Sequence, residues 1–119
     1  MHELALAEAV VAIALQHARG KRVARVELEV GRLRQVVPSS LAFSFELVAQ
    51  GTGADGAELG IEETPVRVAC RACKAESEVD VFPFACGRCG ALDVEVAAGD
   101  ELHVVALELE DAPVTAVRR

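Results

Sequence analysis

The sequence predicts an α+β fold, with two helices on a small three-stranded sheet and a β lobe inserted before the last strand. Three observations lead to this prediction: helical apolar periodicity at two places near the amino terminus, strand-like alternation at 23–30, and four cysteines confined to 70–89. A chain of 119 residues has the length of one ordinary domain or of two small lobes.

The first predicted helix covers residues 4–19, which are strong helix formers and carry a wide apolar stripe. Gly20 follows as a helix stop, and Arg19 suits the negative end of the helix dipole. Residues 23–30 then alternate, with valine and leucine on one face and glutamate on the other. This alternation predicts a strand that is solvated on one face.

A second helix is predicted over residues 39–49, because Pro38 and the two serines after it form a helix start signal. Residues 58–63 predict the second strand of the sheet, and residues 101–110 predict the third. The apolar residues of this last strand change phase, so we expect a bulge near Val104–Val105.

The region between the predicted second and third strands has a different sequence pattern. Short β-like segments follow one another there, at 66–69, 78–82 and 92–96. We expect residues 1–65, completed by 101–119, to form one α/β lobe and residues 66–100 to form a second lobe. The tail at 111–119 is expected to be loose.

The composition excludes several classes of partner. The net charge is −7 and the pI is about 4.9, so the chain lacks the basic field that nucleic acid binding uses. The predicted first helix carries Glu8 and His17, which argues against both a signal peptide and a membrane span. We therefore expect a cytoplasmic protein that binds neither nucleic acid nor membrane.

The cysteines form two C-x2-C pairs with twelve residues between them: Cys70, Cys73, Cys86 and Cys89. Two residues between thiols let one tight turn present both sulfurs to an ion, and two such turns complete a tetrahedron. In a cytosolic protein, four cysteines favour a metal over disulfides. The pattern predicts a zinc-ribbon-like lobe with a structural Zn²⁺, because four thiolates leave no position for water.

Two other interpretations of the cysteines are less favoured. An iron site of the rubredoxin type usually has an aromatic shell, and Phe82 and Phe84 alone would form a poor one. Two redox-active disulfides would be unusual in the cytosol.

The residues Met1, His2 and Glu3 form a potential chelate. The α-amine of Met1, the backbone nitrogen of His2 and its imidazole would close five- and six-membered rings, and Glu3 adds a carboxylate or its backbone nitrogen. We expect Met1 to be retained, because methionine aminopeptidases require a small second residue. A backbone amide yields its proton only to an ion that strongly favours nitrogen, which indicates Ni²⁺ or Cu²⁺. Proton competition at the amine, with a reference pKa of about 8, would make binding reversible near neutral pH.

On spacing alone, the alternative is a frayed terminus with Glu3 near the positive end of the first helix. The other two histidines, His17 and His103, are interpreted as structural. His17 could still add a distal nickel donor.

Over residues 1–110 the chain resembles the HypA/HybF family of hydrogenase-maturation nickel metallochaperones. Five motifs carry this resemblance: M-H-E at the start, a VELEVG strand, a P-x-x-L-x-F-x-F helix, CxxC-x12-CxxC, and a GDEL strand. The resemblance implies that His2 and the amino-terminal amine, with Glu3 close by, bind nickel in the first lobe. It also implies that the four cysteines hold zinc in the second.

The resemblance further implies a role and partners. Ni(II) would be a transient cargo delivered to the [NiFe]-hydrogenase large-subunit precursor, together with the GTPase HypB, and in some organisms also to urease maturation proteins. Family members occur as monomers or homodimers.

Two classes of function therefore follow from the sequence. The first is a nickel metallochaperone without turnover. The alternative is a zinc-ribbon scaffold or regulator that binds protein or RNA and has no nickel function. An enzyme is not expected, because the sequence offers no nucleophile–base set and no phosphate-binding glycine loop.

Overall fold

The computed structural model describes residues 2–80, 83–110 and 115–117, and this part of the chain forms two helices and two small sheets. In chain order the elements are α1 (His2–Ala18), β1 (Val23–Gly31), a 3₁₀ turn (Arg32–Arg34), α2 (Pro38–Ala49), β2 (Glu58–Thr64), β3 (Val66–Cys70), β4 (Glu76–Val79), β5 (Val94–Ala98), β6 (Leu102–Leu109) and β7 (Thr115–Ala116). The predicted α+β class is confirmed.

The chain divides into two compact units. The helical unit comprises Met1–Glu29, Val36–Glu62 and Leu102–Arg119, and the cysteine unit comprises Val30–Gln35 and Glu63–Glu101. The cysteine unit thus begins with the end of β1 and the 3₁₀ turn, which the sequence had assigned to the first lobe.

In the helical unit, α1 packs against α2 and against β6. The buried residues of α1 recur with the spacing of one helix face: Ala7, Val10, Val11, Ala14 and Ala18. α2 buries Leu41, Phe45 and Ala49, whereas Phe43 and Leu47 on the same helix are exposed. Within the residues described, no helix combines the length and apolar character needed to cross a membrane.

The sheet of this unit has four strands, in the order β2-β1-β6-β7, so the expected number of three is wrong. The additional strand pairs antiparallel with β6, with Ala116 opposite Ala106 and Thr115 opposite Leu107. It forms because β6 would otherwise present unpaired backbone groups along this edge. A two-residue strand is too short to give a periodic signal in the sequence. The remaining predicted loose tail, at 111–114 and 118–119, lies outside the described residues.

Burial along β6 changes phase between Val104 and Leu107, both of which are buried, in agreement with the phase change in the sequence. Leu109 continues the second phase.

The cysteine unit contains a sheet in the order β4-β3-β5, with β3 antiparallel to both neighbours. β4 and β5 are offset from the predicted segments at 78–82 and 92–96. Their positions follow from the cysteine turns, because β4 starts opposite Ala69, directly after the first turn, and β5 starts opposite Cys70. Residues 81 and 82 of the predicted strand lie outside the described residues.

Candidate metal centres

The first cysteine turn begins where β3 ends. The Cys70 N–H donates to the Ala75 carbonyl at 2.9 Å, and the Lys74 N–H donates to the Cys70 carbonyl at 3.0 Å. Lys74 adopts a left-handed conformation, with φ 67°, which is costly for a residue with a side chain. The turn brings Cys73 back toward the start of the loop, where its N–H donates to Cys70 Sγ at 3.3 Å.

The second cysteine turn repeats this pattern. The Cys86 N–H donates to the Ala91 carbonyl and the Gly90 N–H donates to the Cys86 carbonyl, both at 2.8 Å. Gly90, with φ 78°, occupies the left-handed position that Lys74 takes in the first turn. The N–H groups of Arg88 and Cys89 donate to Cys86 Sγ at 3.3 and 3.4 Å. The shared pattern is visible in the segments CRACKA and CGRCGA, a signal that sequence reasoning missed.

The two turns bring all four predicted cysteines together. Their sulfurs lie within 4.8 Å of one another, and the Cys70–Cys89 and Cys73–Cys86 pairs are each 3.6 Å apart. Four sulfurs held tetrahedrally at the usual Zn–S distance would lie about 3.8 Å apart. The donor set therefore fits a tetrathiolate metal ion. Among the described residues, this is the one group of three or more His, Cys, Asp or Glu side chains close enough to share an ion.

Both cysteine turns contact side chains that lie on, or directly before, the outer strands of this sheet. The Arg71 guanidinium donates to the Asp93 carboxylate at 2.8 Å and lies 3.7 Å from the carboxylate of Glu95 on β5. In the second turn, the Gly87 N–H donates to Ser77 Oγ on β4 at 2.9 Å. Each turn is thus tied to an outer strand of the three-stranded sheet.

Backbone donors favour the thiolate form at one cysteine of each pair. The hydrogen bond from the Cys73 N–H lowers the pKa of Cys70. Hydrogen bonds from the N–H groups of Cys89 and Arg88 lower the pKa of Cys86 to about 6. For Cys89 the Ala91 N–H lowers the pKa, but the hydrogen bond with the Cys70 sulfur and the other contributions outweigh it and raise the pKa to about 11. Because metals bind the thiolate, these backbone donors prepare Cys70 and Cys86 for an ion.

Of the predicted nickel residues, Glu3 and the backbone of His2 lie at the start of α1. Met1 and the side chain of His2 are outside the described residues, so the predicted nickel ligand set stays a prediction. The backbone of His2 belongs to the first helical turn, where N–H groups have no acceptors within the helix.

The carboxylate of Glu3 contacts the beginning of α2. Its Oε2 accepts a hydrogen bond from the N–H of Val37, the N-cap residue, at 3.4 Å. The Val37 side chain offers no capping group, and Pro38 at the first helical position has no N–H. Glu3 therefore places negative charge where the helix dipole of α2 favours it.

An open groove of about 440 Å³ lies beside Glu3. Its other lining residues are Leu4, Ser39, Ser40, Phe43 and Ser44. The side chains of Leu4 and Phe43 are 49% and 63% exposed, so the groove presents apolar surface together with three hydroxyl groups.

The two other histidines lie on α1 and β6. Nδ1 of His17 lies 3.0 Å from the Ile13 carbonyl and donates to it within α1. Nδ1 of His103 is buried and, in the described part of the chain, has no hydrogen-bond partner, although Oε1 of Glu29 is 3.7 Å away.

The fold and the paired cysteine turns define a small α+β protein with a four-cysteine metal-binding unit. A family model described as "Hydrogenase/urease nickel incorporation, metallochaperone, hypA" matches residues 1–109, and the chain belongs to this HypA family. The resemblance stated from the motifs is thereby confirmed.

Two curated relatives support this membership. Hydrogenase maturation factor HypA of Geotalea uraniireducens is 43% identical over 110 residues, which cover 92% of this chain and all of the relative. Hydrogenase maturation factor HypA of Nostoc punctiforme is 38% identical over 111 residues, which cover 93% of this chain and 97% of the relative.

Two solved structures share the fold. A solution structure titled HypA protein has a TM-score of 0.69 at 22% identity and covers 92% of this chain and 96% of its own. The solution structure of the Ni metallochaperone HypA from Helicobacter pylori has a TM-score of 0.62 at 17% identity, covering 98% of each chain.

Proposed function

We propose that this protein is a nickel metallochaperone that delivers Ni(II) to the [NiFe]-hydrogenase large-subunit precursor in the cytoplasm, working with the GTPase HypB. The observation that carries the proposal is the family match, which covers residues 1–109 and includes both the M-H-E start and the cysteine pairs. The protein acts by binding and release, without turnover.

The four cysteines hold a structural Zn²⁺ in this proposal. The sulfur separations and the backbone donors to Cys70 and Cys86 support a closed tetrathiolate site. Such an ion has no open position, so it neither activates water nor exchanges readily with a cargo ion. Its contribution is to hold the two cysteine turns together.

Nickel is held at Met1, His2 and Glu3. The α-amine of a chain that starts at Met1, the backbone nitrogen of His2 and its imidazole form a nitrogen-rich donor set that suits Ni²⁺. Proton competition at the amine keeps the complex reversible near neutral pH, which a delivery protein requires. The contact between Glu3 and Val37 places Glu3 beside the groove.

Titration with Ni²⁺ by calorimetry tests the nickel site. The parent protein is expected to bind one ion, and His2→Ala is expected to abolish this binding with an unchanged zinc content. His103→Ala is the matched control, because it removes one imidazole outside the terminus, and it is expected to bind as the parent does. Equal nickel binding by His2→Ala and the parent would contradict the proposal.

A transfer assay tests delivery. Nickel-loaded protein is expected to raise nickel incorporation into the hydrogenase precursor, and His2→Ala is expected to fail. A protein that binds partner protein or RNA without any nickel dependence would instead favour the scaffold function.

A further inference from the structure

Two sequence motifs that the proposed function does not use meet within the cysteine unit. Gly31 is the last residue of VELEVG, and Gly99 and Glu101 belong to GDEL. The Gly31 N–H donates to the Glu101 carbonyl at 2.7 Å, and the Leu33 N–H donates to the Gly99 carbonyl at 2.8 Å. We call Gly31, Thr64, Gly99 and Glu101 the junction.

The junction is packed so closely that two of its residues must be glycine. A Cβ at Gly31 would overlap the carbonyl of Gly99. A Cβ at Gly99 would lie 2.6 Å from Cα of Val66, and Gly99 also has a φ of +115°. The hydrogen bonds from Gly31 to Glu101 and from Leu33 to Gly99 hold the two backbone segments at this distance.

The Glu101 carboxylate joins the chain that leads into β3 to the chain that leaves β5. Its Oε1 accepts from the Thr64 hydroxyl at 2.6 Å and from the Gly99 N–H at 3.0 Å. Pro65 follows Thr64 and has no N–H, so the Thr64 hydroxyl supplies a donor at this point. A carboxylate acceptor makes both bonds stronger than bonds between neutral groups.

The junction and the cysteines lie at opposite ends of the same strand pair. β3 begins at Val66, beside the junction, and ends at Cys70, while Arg67 and Cys70 pair with Ala98 and Val94 of β5. The pairing is irregular between Arg67 and Val68, next to the junction. At this end the Glu101 carboxylate adds a connection between the two segments, because it accepts hydrogen bonds from both Thr64 and Gly99.

We infer that Glu101 is a positioning residue for the four-cysteine site. Its carboxylate connects Thr64, before β3, to Gly99, after β5, and we call this connection the clasp. The clasp keeps the two cysteine turns in the positions in which they bind metal. The inference rests on the proposed zinc role of the cysteines. A metal that binds a partly unfolded unit must also fold it, so part of its binding free energy is lost. Breaking the clasp therefore weakens metal binding without touching a ligand.

Competition titration with Co²⁺, followed by its thiolate absorption bands, measures the coupling in full-length reduced protein. Glu101→Ala is expected to lower the affinity roughly tenfold, and Thr64→Val about threefold, from the loss of the corresponding hydrogen bonds. Glu101→Gln is expected to stay within about threefold of the parent, because an amide oxygen can accept both bonds. Since Thr64 and Glu101 share one contact, the double variant should be less than additive.

Hydrogen exchange in excess Zn²⁺, which keeps the parent and the variants equally loaded, provides a second readout that does not depend on metal affinity. Glu101→Ala should accelerate exchange at Gly99 and within 66–70, while α1 and α2 keep their protection. Glu108→Ala, which removes an exposed carboxylate from β6, the strand that follows Glu101, is the matched control and should change neither readout.

The outcomes separate the two claims. If the parent fails to bind Co²⁺ or Zn²⁺, the zinc proposal is wrong, and the exchange arm alone decides whether the clasp exists. If the parent binds and Glu101→Ala binds equally well with unchanged exchange at Gly99, the clasp is wrong. Loss of protection throughout the molecule, without rescue by Glu101→Gln, would also overturn it, because that result indicates a general structural role.

Discussion

The helical unit and the cysteine unit are stabilised in different ways. Seven of the largest fully buried side chains belong to the helical unit: Val10, Val26, Leu28, Leu41, Phe45, Val104 and Leu107. Within the described part of the cysteine unit, the buried apolar side chains are Val30, Val66, Val68, Cys70 and Cys86. We therefore expect apolar packing to stabilise the first unit, and we expect the second unit, with less of it, to depend more on the metal held by its sulfurs and on its junction.

Metal removal is expected to have the largest effect on stability, and this effect should be confined to the cysteine unit. A structural zinc site supplies on the order of 10 kcal/mol to the fold that it holds. Chelation of zinc, or Cys73→Ser, should therefore remove hydrogen-exchange protection from β3–β5 while α1 and α2 remain protected. A cysteine unit that stays protected without metal would show that packing and the junction suffice.

A core substitution in the helical unit should destabilise that unit and leave zinc binding by the cysteine unit unchanged. Phe45→Ala is expected to lower the free energy of unfolding by about 3–5 kcal/mol, because the ring is almost fully buried. Phe43→Ala, two residues away and 63% exposed, is the matched control and should change it by less than about 0.5 kcal/mol. Denaturant titration measures both values. Zinc content should stay unchanged in both variants, and zinc loss in Phe45→Ala would contradict the independence of the two units.

The smallest expected effect concerns the left-handed position that the two cysteine turns share. Gly90→Ala should destabilise the cysteine unit by about 1 kcal/mol, because a side chain is disfavoured at positive φ. Lys74→Gly should be close to neutral, since relief of strain offsets the added chain entropy of glycine. Zinc competition assays compare the two variants. If both substitutions change zinc affinity by the same amount, the two turns do not share this left-handed position in solution.

The sequence predicted the helical unit better than the cysteine unit, for a physical reason. α1, α2, β1 and β2 were predicted within two residues because each buries one face, and burial of one face leaves a periodic pattern. β4 and β5 were displaced because their register depends on the cysteine turns and not on apolar alternation. β7 was missed because two residues carry no period.

In the candidate sites, too, local features could be predicted from the sequence and contacts between distant residues could not. The four cysteines were identified from spacing alone, since a C-x2-C turn is a local structure. The clasp between Thr64 and Glu101 joins residues that are 37 positions apart, and no local pattern reports such a contact. The contact between Glu3 and Val37 was missed for the same reason. Nickel binding by Met1, His2 and Glu3 stays a prediction from terminal chemistry and family membership.

We propose that the terminus itself, amine included, holds nickel, while the four cysteines hold zinc. The most direct measurement is calorimetric Ni²⁺ titration of protein that starts at Met1 beside protein with a single glycine added before Met1, with zinc quantified in both. We expect a one-to-one nickel isotherm for the protein that starts at Met1, and we expect the added glycine to abolish or strongly weaken nickel binding at equal zinc content. Unchanged nickel affinity in the extended protein would contradict the terminal chelate.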